Sequence, residues 1–216
     1  REIADQAPDL FDSKGVFKDI KLVIWTTTPW TLPANEAISV NQKLDYVIAQ
    51  SPDESFIITA NDLLEKVSNS VGINFEKRVL VKGHLLDGII YENPLFDKLS
   101  PVVLGGDYIT TESGTGLVHT APGHGVDDFS TGKKYNLPIS CPVDAKGFLT
   151  KAAGRFEGLN VLKDANNIII NDLIDSNSLL KEVPYEHKYP YDWRTKKPTI
   201  FRATEQWFAS VEGFRE

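Results

Sequence analysis

Short apolar runs bounded by turn residues dominate the first half of the chain and predict β-strands. Eight such runs are expected, over residues 21–26, 37–40, 46–50, 56–59, 78–82, 102–104, 108–111 and 117–120. Helical spacing predicts three helices: one capped by Asn61 and stopped at Gly72, one from about Val126 to Tyr135, and one over roughly 164–175. Strands outnumber helices and no repeat is present, so the expected fold is mixed α/β, a compact β-barrel-like domain with peripheral helices.

Composition adds limits on size and location. A length of 216 residues suits one domain, or one domain with a small appendage. The single cysteine, Cys141, excludes internal disulfides and cysteine-rich zinc sites and fits a reducing compartment, so we expect the cytoplasm or an organelle. No leader is evident after Arg1 and no apolar run could span a bilayer, so no membrane partner is expected. The unfinished pattern at Glu216 suggests a piece of a longer protein.

The net charge of −7 argues against a general polyanion binder. One local stretch mixes basic and aromatic side chains in a way that can hold phosphates and stack on bases. Its members are Lys188, Tyr189, Tyr191, Trp193, Arg194, Lys196, Lys197 and Arg202. A solvated loop and strand face explains the same charges, so both interpretations stay open.

The segment WTTTPWTLPAN, at residues 25–35, places hydroxyl groups and one carboxamide on a stiff turn after an apolar strand. Pro29 and Pro33 each remove a backbone donor and bias the preceding residue to extended geometry. Threonine hydroxyls donate and accept hydrogen bonds but are poor nucleophiles unaided. The segment predicts a rigid polar rim for a small polar ligand; an ordinary threonine-rich turn is the alternative.

A second concentration of polar side chains is GTGLVHTAPGHGVDDF, at residues 114–129. Strand alternation places Leu117, His119 and Ala121 on one face. His119 therefore shares a face with apolar neighbours, which is typical of a half-buried structural histidine as well as of a functional one.

The turn after this strand leads into a helix with two acids in its first turn. Gly123 and Gly125 allow a sharp turn, and their amides are candidates for facing a developing oxyanion. Asp127 and Asp128 lie where the helix dipole stabilises a carboxylate by about 0.3–1 kcal/mol. This is common at helix starts, and it also suits an ionised carboxylate that binds a substrate ammonium.

Other chemistries lack their motifs. His119, His124, Asp127 and Asp128 do not have the spacing of a helical zinc site, so no metal is expected. There is no GxSxG elbow and no nucleophile signature around Cys141, which disfavours a covalent acyl-enzyme. The glycines form neither a Walker A nor a Rossmann loop, and no cofactor is expected.

Together with DWRTKKPTIFRATEQWF, at residues 192–208, these two motifs resemble isoleucyl-tRNA synthetase. The resemblance is to the editing domain inserted in the class I catalytic core, and it spans nearly the whole chain from about residue 20. It implies hydrolysis of the ester in mischarged Val-tRNA(Ile), and of valyl-adenylate as a further substrate. Valine and isoleucine differ by one methylene, worth only about 1–3 kcal/mol in a pocket, and this enzyme is the standard example of that limit.

The resemblance also implies roles for the residues of the first motif. Thr26, Thr27 and Thr28 would line the editing pocket and position the substrate and the attacking water. Thr31 and Asn35 would support that network. Water attack would then proceed through binding, orientation and hydrogen bonds to the oxyanion, without a protein nucleophile.

For the second motif, the resemblance places His119 in the wall that excludes the extra methyl group of isoleucine. Asp128 would bind the α-ammonium of the misattached amino acid and belongs to the catalytic set. His124 and Asp127 would lie beside the pocket, with His124 among the substrate-binding residues.

The implied partners are the acceptor end of tRNA(Ile), mischarged valyl-tRNA and the catalytic core of a parent synthetase. The predicted organisation is a connector over 1–20, the editing domain over 21–185 and a return segment over 186–216. Residues 189–194 lack the cysteines of some family members, so zinc is not expected there. The HIGH and KMSKS signatures are absent, so amino-acid activation is not expected of this chain.

Two alternatives remain from the sequence. One is a non-catalytic insertion that binds the tRNA acceptor end through the basic and aromatic stretch. The other is an editing domain of the valyl type, in which the family usually has TTRP where this chain has Thr27, Thr28 and Pro29. The threonine at position 28 favours the isoleucyl branch.

Overall fold

Eight strands in the computed structural model, which describes residues 3, 7–11, 19–186 and 188–214, form two four-stranded sheets. The first sheet has the order β1 (Ile20–Leu22), β4 (Phe56–Ala60), β3 (Asp45–Gln50) and β5 (Glu76–Lys82). The second has the order β6 (Ile90–Glu92), β7 (Leu99–Leu104), β2 (Ala37–Val40) and β8 (Leu117–Thr120). Each sheet mixes parallel and antiparallel pairs, which confirms the mixed α/β class; the described strands do not close into one barrel.

Strand β2 is an interior strand of the second sheet and pairs with a neighbour on each side. It runs parallel to β7 and antiparallel to β8, with Ile38 opposite Val102 and His119. The chain enters β2 directly from the threonine-rich segment, and the N–H of Glu36 already donates to the Thr120 carbonyl (3.0 Å). The two sequence motifs are therefore brought together by strand pairing.

In the described part of the chain, three α-helices pack around the sheets: α1 (Leu64–Val71), α2 (Val126–Lys134) and α3 (Ala165–Asp175). Two 3-10 helices, Pro29–Ala34 and Lys151–Phe156, complete the surroundings of the site. No helix in the described part of the chain has the length and apolar character needed to cross a membrane.

The largest core cluster joins both sheets, with Val40 from one and Ile48 from the other. Leu10, in the segment predicted as a connector, is fully buried in this cluster. A second cluster surrounds Trp30, Phe156 and Ile169 and fixes α3 beside the threonine-rich segment. The predicted boundary at residue 20 stays a prediction, and most of residues 1–18 lie outside the described part.

Several predicted elements need correction. The strand expected over 21–26 ends at Leu22, and the strand expected over 108–111 is a turn. In that turn the N–H of Ile109 donates to the Gly106 carbonyl (3.2 Å), which bends the chain out of any ladder. Asn61 is not a side-chain cap, because a 3-10 turn leads into α1 and its Oδ1 accepts a hydrogen bond from Lys77 (2.8 Å). The predicted stop at Gly72 is confirmed by its left-handed backbone (φ +77°).

Gly116, immediately before β8, is expected to tolerate alanine poorly. Its φ is +79°, and a Cβ there would lie 2.4 Å from the Ala60 Cβ. Gly116→Ala should therefore lower the free energy of unfolding by about 2–4 kcal/mol, because backbone strain and overpacking add. Urea denaturation of the 216-residue chain checks this.

Gly72→Ala is the matched control for this substitution. Gly72 has nearly the same φ, +77°, but a Cβ there would meet nothing within 4 Å. Gly72→Ala should therefore lower the free energy of unfolding only by the cost of the backbone strain, about 1–2 kcal/mol. Equal losses at the two glycines would show that the contact with Ala60 carries no energy.

Candidate functional site

The threonine-rich segment leaves β1 as irregular chain and then forms a short 3-10 helix. The N–H of Thr28 donates to Thr26 Oγ1 (3.0 Å), and Pro29 begins the helix, so the segment turns away from the first sheet. The N–H of Trp30 donates to Asn166 Oδ1 on α3 (2.9 Å). Local hydrogen bonds and α3 therefore fix the conformation of this loop.

A buried chain of hydrogen bonds connects the two sequence motifs. Asn35, Thr31 and His119 are only 6%, 8% and 7% exposed. Asn35 Nδ2 lies 2.9 Å from the Ala37 carbonyl and 2.7 Å from His119 Nδ1. His119 Nε2 lies 3.0 Å from Thr31 Oγ1, whose hydroxyl donates to the Thr28 carbonyl (2.9 Å). The structure thus brings together four of the residues selected from the sequence.

This arrangement determines the protonation of His119. A carbonyl oxygen only accepts hydrogen bonds, so the atom of Asn35 that contacts the Ala37 carbonyl is the amide nitrogen Nδ2. The same nitrogen also donates to His119 Nδ1. In the neutral ring the proton is then on Nε2, which donates to Thr31. Burial, with a smaller effect of His124, lowers the pKa of His119 to about 4. His119 is therefore neutral at physiological pH, with both ring nitrogens engaged.

Side chains that the sequence motifs did not include hold Asn35 from the other side. Tyr91 donates to Asn35 Oδ1, and Asn93 Nδ2 lies 3.3 Å from the same oxygen. Lys98 donates to the Asn35 carbonyl (3.1 Å) and pairs with Glu36 (2.5 Å), which is only 6% exposed. No local motif marks these residues; the order of strands in the second sheet places them here.

A cavity of about 1630 Å³ opens beside this network. Its lining includes four of the selected residues: Thr26, Thr27, Asn35 and His119. Apolar side chains form much of the remaining wall, namely Ile20, Leu22, Ile24, Ile58, Leu95, Phe96, Ile170, Leu173 and Leu179. Trp25 and Tyr185 also line it and contact each other edge to face, with ring centroids 4.8 Å apart. The cavity therefore combines the polar rim with apolar walls, and charged side chains such as Asp97 and Arg155 also reach its lining.

Asp128 lies in the first turn of α2, next to the end of β8, and does not line this cavity. Its Oδ2 accepts the Ala121 N–H (2.9 Å). Burial, and secondarily the charge of Asp127, raise the pKa of Asp128 to about 6 although the Ala121 hydrogen bond opposes this. Desolvation therefore outweighs the stabilisation of the carboxylate that the helix dipole supplies, and a pKa of about 6 still leaves Asp128 mostly ionised at neutral pH.

His124 packs between the motif and the C-terminal segment. Its Nδ1 lies 2.9 Å from the Phe201 carbonyl and its ring contacts Trp30 edge to face at 5.1 Å. The N–H of Ala203 donates to the Gly123 carbonyl (2.8 Å), so residues 201–203 cover this turn. Like Asp128, His124 does not line the large cavity.

Most of the basic and aromatic stretch is exposed, whereas Tyr189 and Arg202 are half-buried. The Trp193 side chain is 71% exposed, and the Arg194 guanidinium lies 4.8 Å above its ring. Among residues 3, 7–11, 19–186 and 188–214, no group of three or more His, Cys, Asp or Glu side chains could hold a metal ion.

No protein-family model matches the chain. The isoleucine–tRNA ligase of Prochlorococcus marinus strain NATL1A is 82% identical over 216 residues, which are 100% of this chain and 22% of that protein. The isoleucine–tRNA ligase of Synechocystis sp. strain PCC 6803 is 59% identical over 202 residues, 92% of this chain and 20% of that protein. The chain thus spans about a fifth of the length of the curated relatives it matches.

Solved structures resemble it at the level of the fold. The crystal structure of GlLeuRS-CP1 superposes with a TM-score of 0.66 at 16% identity, covering 85% of this chain and 90% of that chain. The editing domain of the P. knowlesi cytosolic leucyl-tRNA synthetase gives a TM-score of 0.55 at 14% identity, covering 74% and 82%. The chain is therefore homologous to one segment of the isoleucine–tRNA ligases and has the fold of the CP1 editing domains of class I synthetases.

Proposed function

We propose that the chain is the editing module of an isoleucine–tRNA ligase and hydrolyses the ester of mischarged Val-tRNA(Ile). The observation that carries this proposal is the cavity wall shared by Thr26, Thr27, Asn35 and His119. That wall combines hydroxyl groups at the rim with a rigid imidazole. Homology to the isoleucine–tRNA ligases supports the choice of the isoleucyl substrate over the valyl alternative.

The chemistry follows from what these residues can and cannot do. His119 has both nitrogens engaged and a pKa of about 4, so it does not take the proton of an attacking water at neutral pH. The Thr31 hydroxyl lies beside His119, but Nε2 of that ring carries a proton and donates to the hydroxyl, so it does not turn this threonine into a nucleophile. The role of the wall is therefore to bind and orient the ester, which is already reactive.

In the proposed reaction, the oxygen of a water molecule attacks the ester carbonyl carbon. The bond between that carbon and the ribose oxygen breaks, the ribose oxygen takes up one proton of the water, and valine leaves as the carboxylate while the second proton is released to solvent. Thr26 and Thr27, at the rim of the cavity, would donate hydrogen bonds to the substrate and hold the water. The ionised Asp128 lies outside the cavity lining, beside the end of the strand that carries His119, and would bind the α-ammonium of an amino acid placed at that end of the wall, a pairing strengthened by partial burial.

Direct measurement on the 216-residue chain tests the proposal. Val-tRNA(Ile) and Ile-tRNA(Ile) are incubated with the protein and the release of each amino acid is followed. Titration with non-hydrolysable valyl- and isoleucyl-aminoadenosine, which mimic the charged end of tRNA, separates binding from turnover. Saturable binding and hydrolysis restricted to the valyl compounds would support the proposal, and valyl binding without any hydrolysis would contradict it.

A second candidate function is supported by the exposed basic and aromatic stretch. Trp193 and the adjoining Arg194 are accessible for stacking on bases and contact with phosphates. Such a module would bind the acceptor end of tRNA with equal affinity for charged and uncharged forms, and would release no amino acid.

The pH dependence of hydrolysis should follow the ionisation of Asp128. Only the carboxylate attracts the α-ammonium, and the pKa of Asp128 is raised to about 6. We therefore expect kcat/KM for the valyl ester to fall by about tenfold per pH unit below that value. Asp127→Asn changes an exposed neighbour whose charge contributes to the raised pKa, so it should keep the acidic limb and move it to slightly lower pH. If the acidic limb of the pH profile persists in Asp128→Asn, the ionisation that causes it belongs to another group.

A further inference from the structure

The hydrogen-bond network has an outer end that the proposed chemistry does not use. Tyr91 lines the cavity, and its hydroxyl donates to Asn35 Oδ1. Asn93 Nδ2 lies 3.3 Å from the same oxygen. The Oδ1 of Asn93 is itself held by the Leu95 N–H (2.8 Å), which leaves its amide nitrogen directed at Asn35. Two donors therefore converge on a single carbonyl oxygen.

Together with the Ala37 carbonyl, which accepts from Asn35 Nδ2 at 2.9 Å, these donors determine which end of the Asn35 amide faces His119. If Oδ1 were turned toward the ring, His119 would need its proton on Nδ1. Nε2 would then become an acceptor, and the Thr31 hydroxyl would have to donate to it. The Thr28 carbonyl would lose the Thr31 hydroxyl, which lies 2.9 Å away in the observed arrangement. The orientation of one amide thus selects between two proton arrangements that extend to the threonine-rich loop.

We propose that Tyr91 is a positioning residue of this site, which keeps His119 in the Nε2–H form and the Thr28 carbonyl in place by orienting Asn35. The proposal deepens the editing function and rests on it, since it assigns a role in that reaction to a residue that acts through its neighbours. Tyr91 makes its hydrogen bond to Asn35 rather than to His119.

The surroundings of Tyr91 suit this role. Tyr91 lies on β6, opposite Ser100 of β7, so its backbone is fixed by a strand ladder rather than by a loop. Burial raises the pKa of Tyr91 well above its usual range, so the hydroxyl stays a donor across the working pH range. Lys98 holds the backbone carbonyl of Asn35 (3.1 Å), so the backbone and the amide of this residue are held separately.

Tyr91→Phe removes the hydroxyl and keeps the ring, and Tyr135→Phe is its matched control. Tyr135 is also half-buried, and its hydroxyl accepts a hydrogen bond from the Leu104 N–H (3.0 Å). Both variants are made in the 216-residue chain, and thermal unfolding shows that they fold. Two quantities are measured: the tautomer of His119, by imidazole ¹⁵N NMR near pH 7.5, and the hydrolysis of Val-tRNA(Ile).

We expect a single Nε2–H form in the wild type and in Tyr135→Phe, and a mixture of tautomers in Tyr91→Phe. In Tyr91→Phe, kcat should fall roughly tenfold with little change in KM, since loss of one buried hydrogen bond disturbs orientation more than binding. A His119 spectrum and kcat that are both unchanged in Tyr91→Phe would overturn the proposal.

The NMR measurement does not depend on turnover, so it separates this proposal from the editing function. If the wild type hydrolyses nothing while Tyr91→Phe alone changes the tautomer, the control of His119 by Tyr91 stands and the editing function is rejected. If the wild type hydrolyses Val-tRNA(Ile) and Tyr91→Phe changes neither quantity, the editing function stands and Tyr91 has no positioning role.

Discussion

Replacing Asp128 with asparagine is expected to lower hydrolysis of Val-tRNA(Ile) by roughly 100-fold or more, because loss of a partly buried charge partner typically costs about 2–5 kcal/mol. Asparagine is nearly isosteric and can still accept the Ala121 N–H, which Asp128 accepts at 2.9 Å. The substitution thus removes the charge and preserves the local geometry. Single-turnover deacylation and binding of valyl-aminoadenosine measure the effect.

The same substitution should stabilise the fold at neutral pH. The pKa of Asp128 is raised from its ordinary value of 3.8 to about 6 in the folded chain, so the folded state binds this proton more tightly than the unfolded state does. Its charged form therefore costs stability above about pH 6, and the cost disappears as the pH falls toward 3.8. At pH 7.5 we expect the free energy of unfolding of Asp128→Asn to be about 1–2 kcal/mol higher than that of the wild type.

The difference between wild type and variant is the quantity to measure, since His119 and His124 have lowered pKa values and act in the opposite direction. Subtracting the two unfolding curves cancels their contributions. The stability difference should shrink between pH 6 and 4. Asp127→Asn, at the exposed neighbouring position, is the control and should affect neither activity nor stability strongly. Full activity in Asp128→Asn would remove this residue from the ammonium site.

Shortening His119 to alanine is expected to let the chain cleave Ile-tRNA(Ile). The imidazole lines the cavity and is rigid because both nitrogens are bonded, so it cannot move aside for a larger substrate. Its loss should raise isoleucyl hydrolysis relative to valyl hydrolysis by roughly tenfold or more, which is the range for one methylene in a pocket. The ratio of the two kcat/KM values is the readout.

Stability has to be followed alongside this ratio. His119→Ala leaves Asn35 and Thr31 without their partner and should lower the free energy of unfolding by about 2–4 kcal/mol. His119→Gln retains polar atoms in the gap and gives a second, more stable variant with a smaller change in the ratio. His84→Ala, at an exposed histidine, is the control. Unchanged rejection of isoleucine in both His119 variants would exclude the ring from the size barrier.

The sequence was sufficient to predict the elements whose signals are local. The strands over 37–40 and 117–120 have the predicted bounds, because each is a short apolar run closed by turn residues. The start of α2 at Val126 is likewise where the acids and glycines indicate it. The strand predicted over 21–26 is too long, because local interactions compete with strand pairing there. The Thr26 hydroxyl and Pro29 turn the chain out of the first sheet after Leu22.

What the sequence could not reveal depends on strand order. Tyr91 and Asn93 follow a run of isoleucines and belong to no polar motif. They reach Asn35 because β6 joins β7 and β7 pairs in parallel with β2, a connection with no local signature. The pKa of Asp128 was missed for a related reason, since burial of its carboxyl depends on how α2 lies against the end of β8.

One consequence follows from the antiparallel pairing of β2 with β8. His119 is opposite Ile38 in the middle of that ladder, so the position of its ring is set by strand register and not by a loop. Insertions in the surrounding loops could change how a substrate approaches, while the width of the gap at His119 would stay constant. A slip of one residue would exchange His119 for Val118 on that face, so intermediate widths are not available by small steps. In evolution, the width of this gap is therefore expected to change by substitution of the residue at position 119 rather than by gradual movement of the backbone.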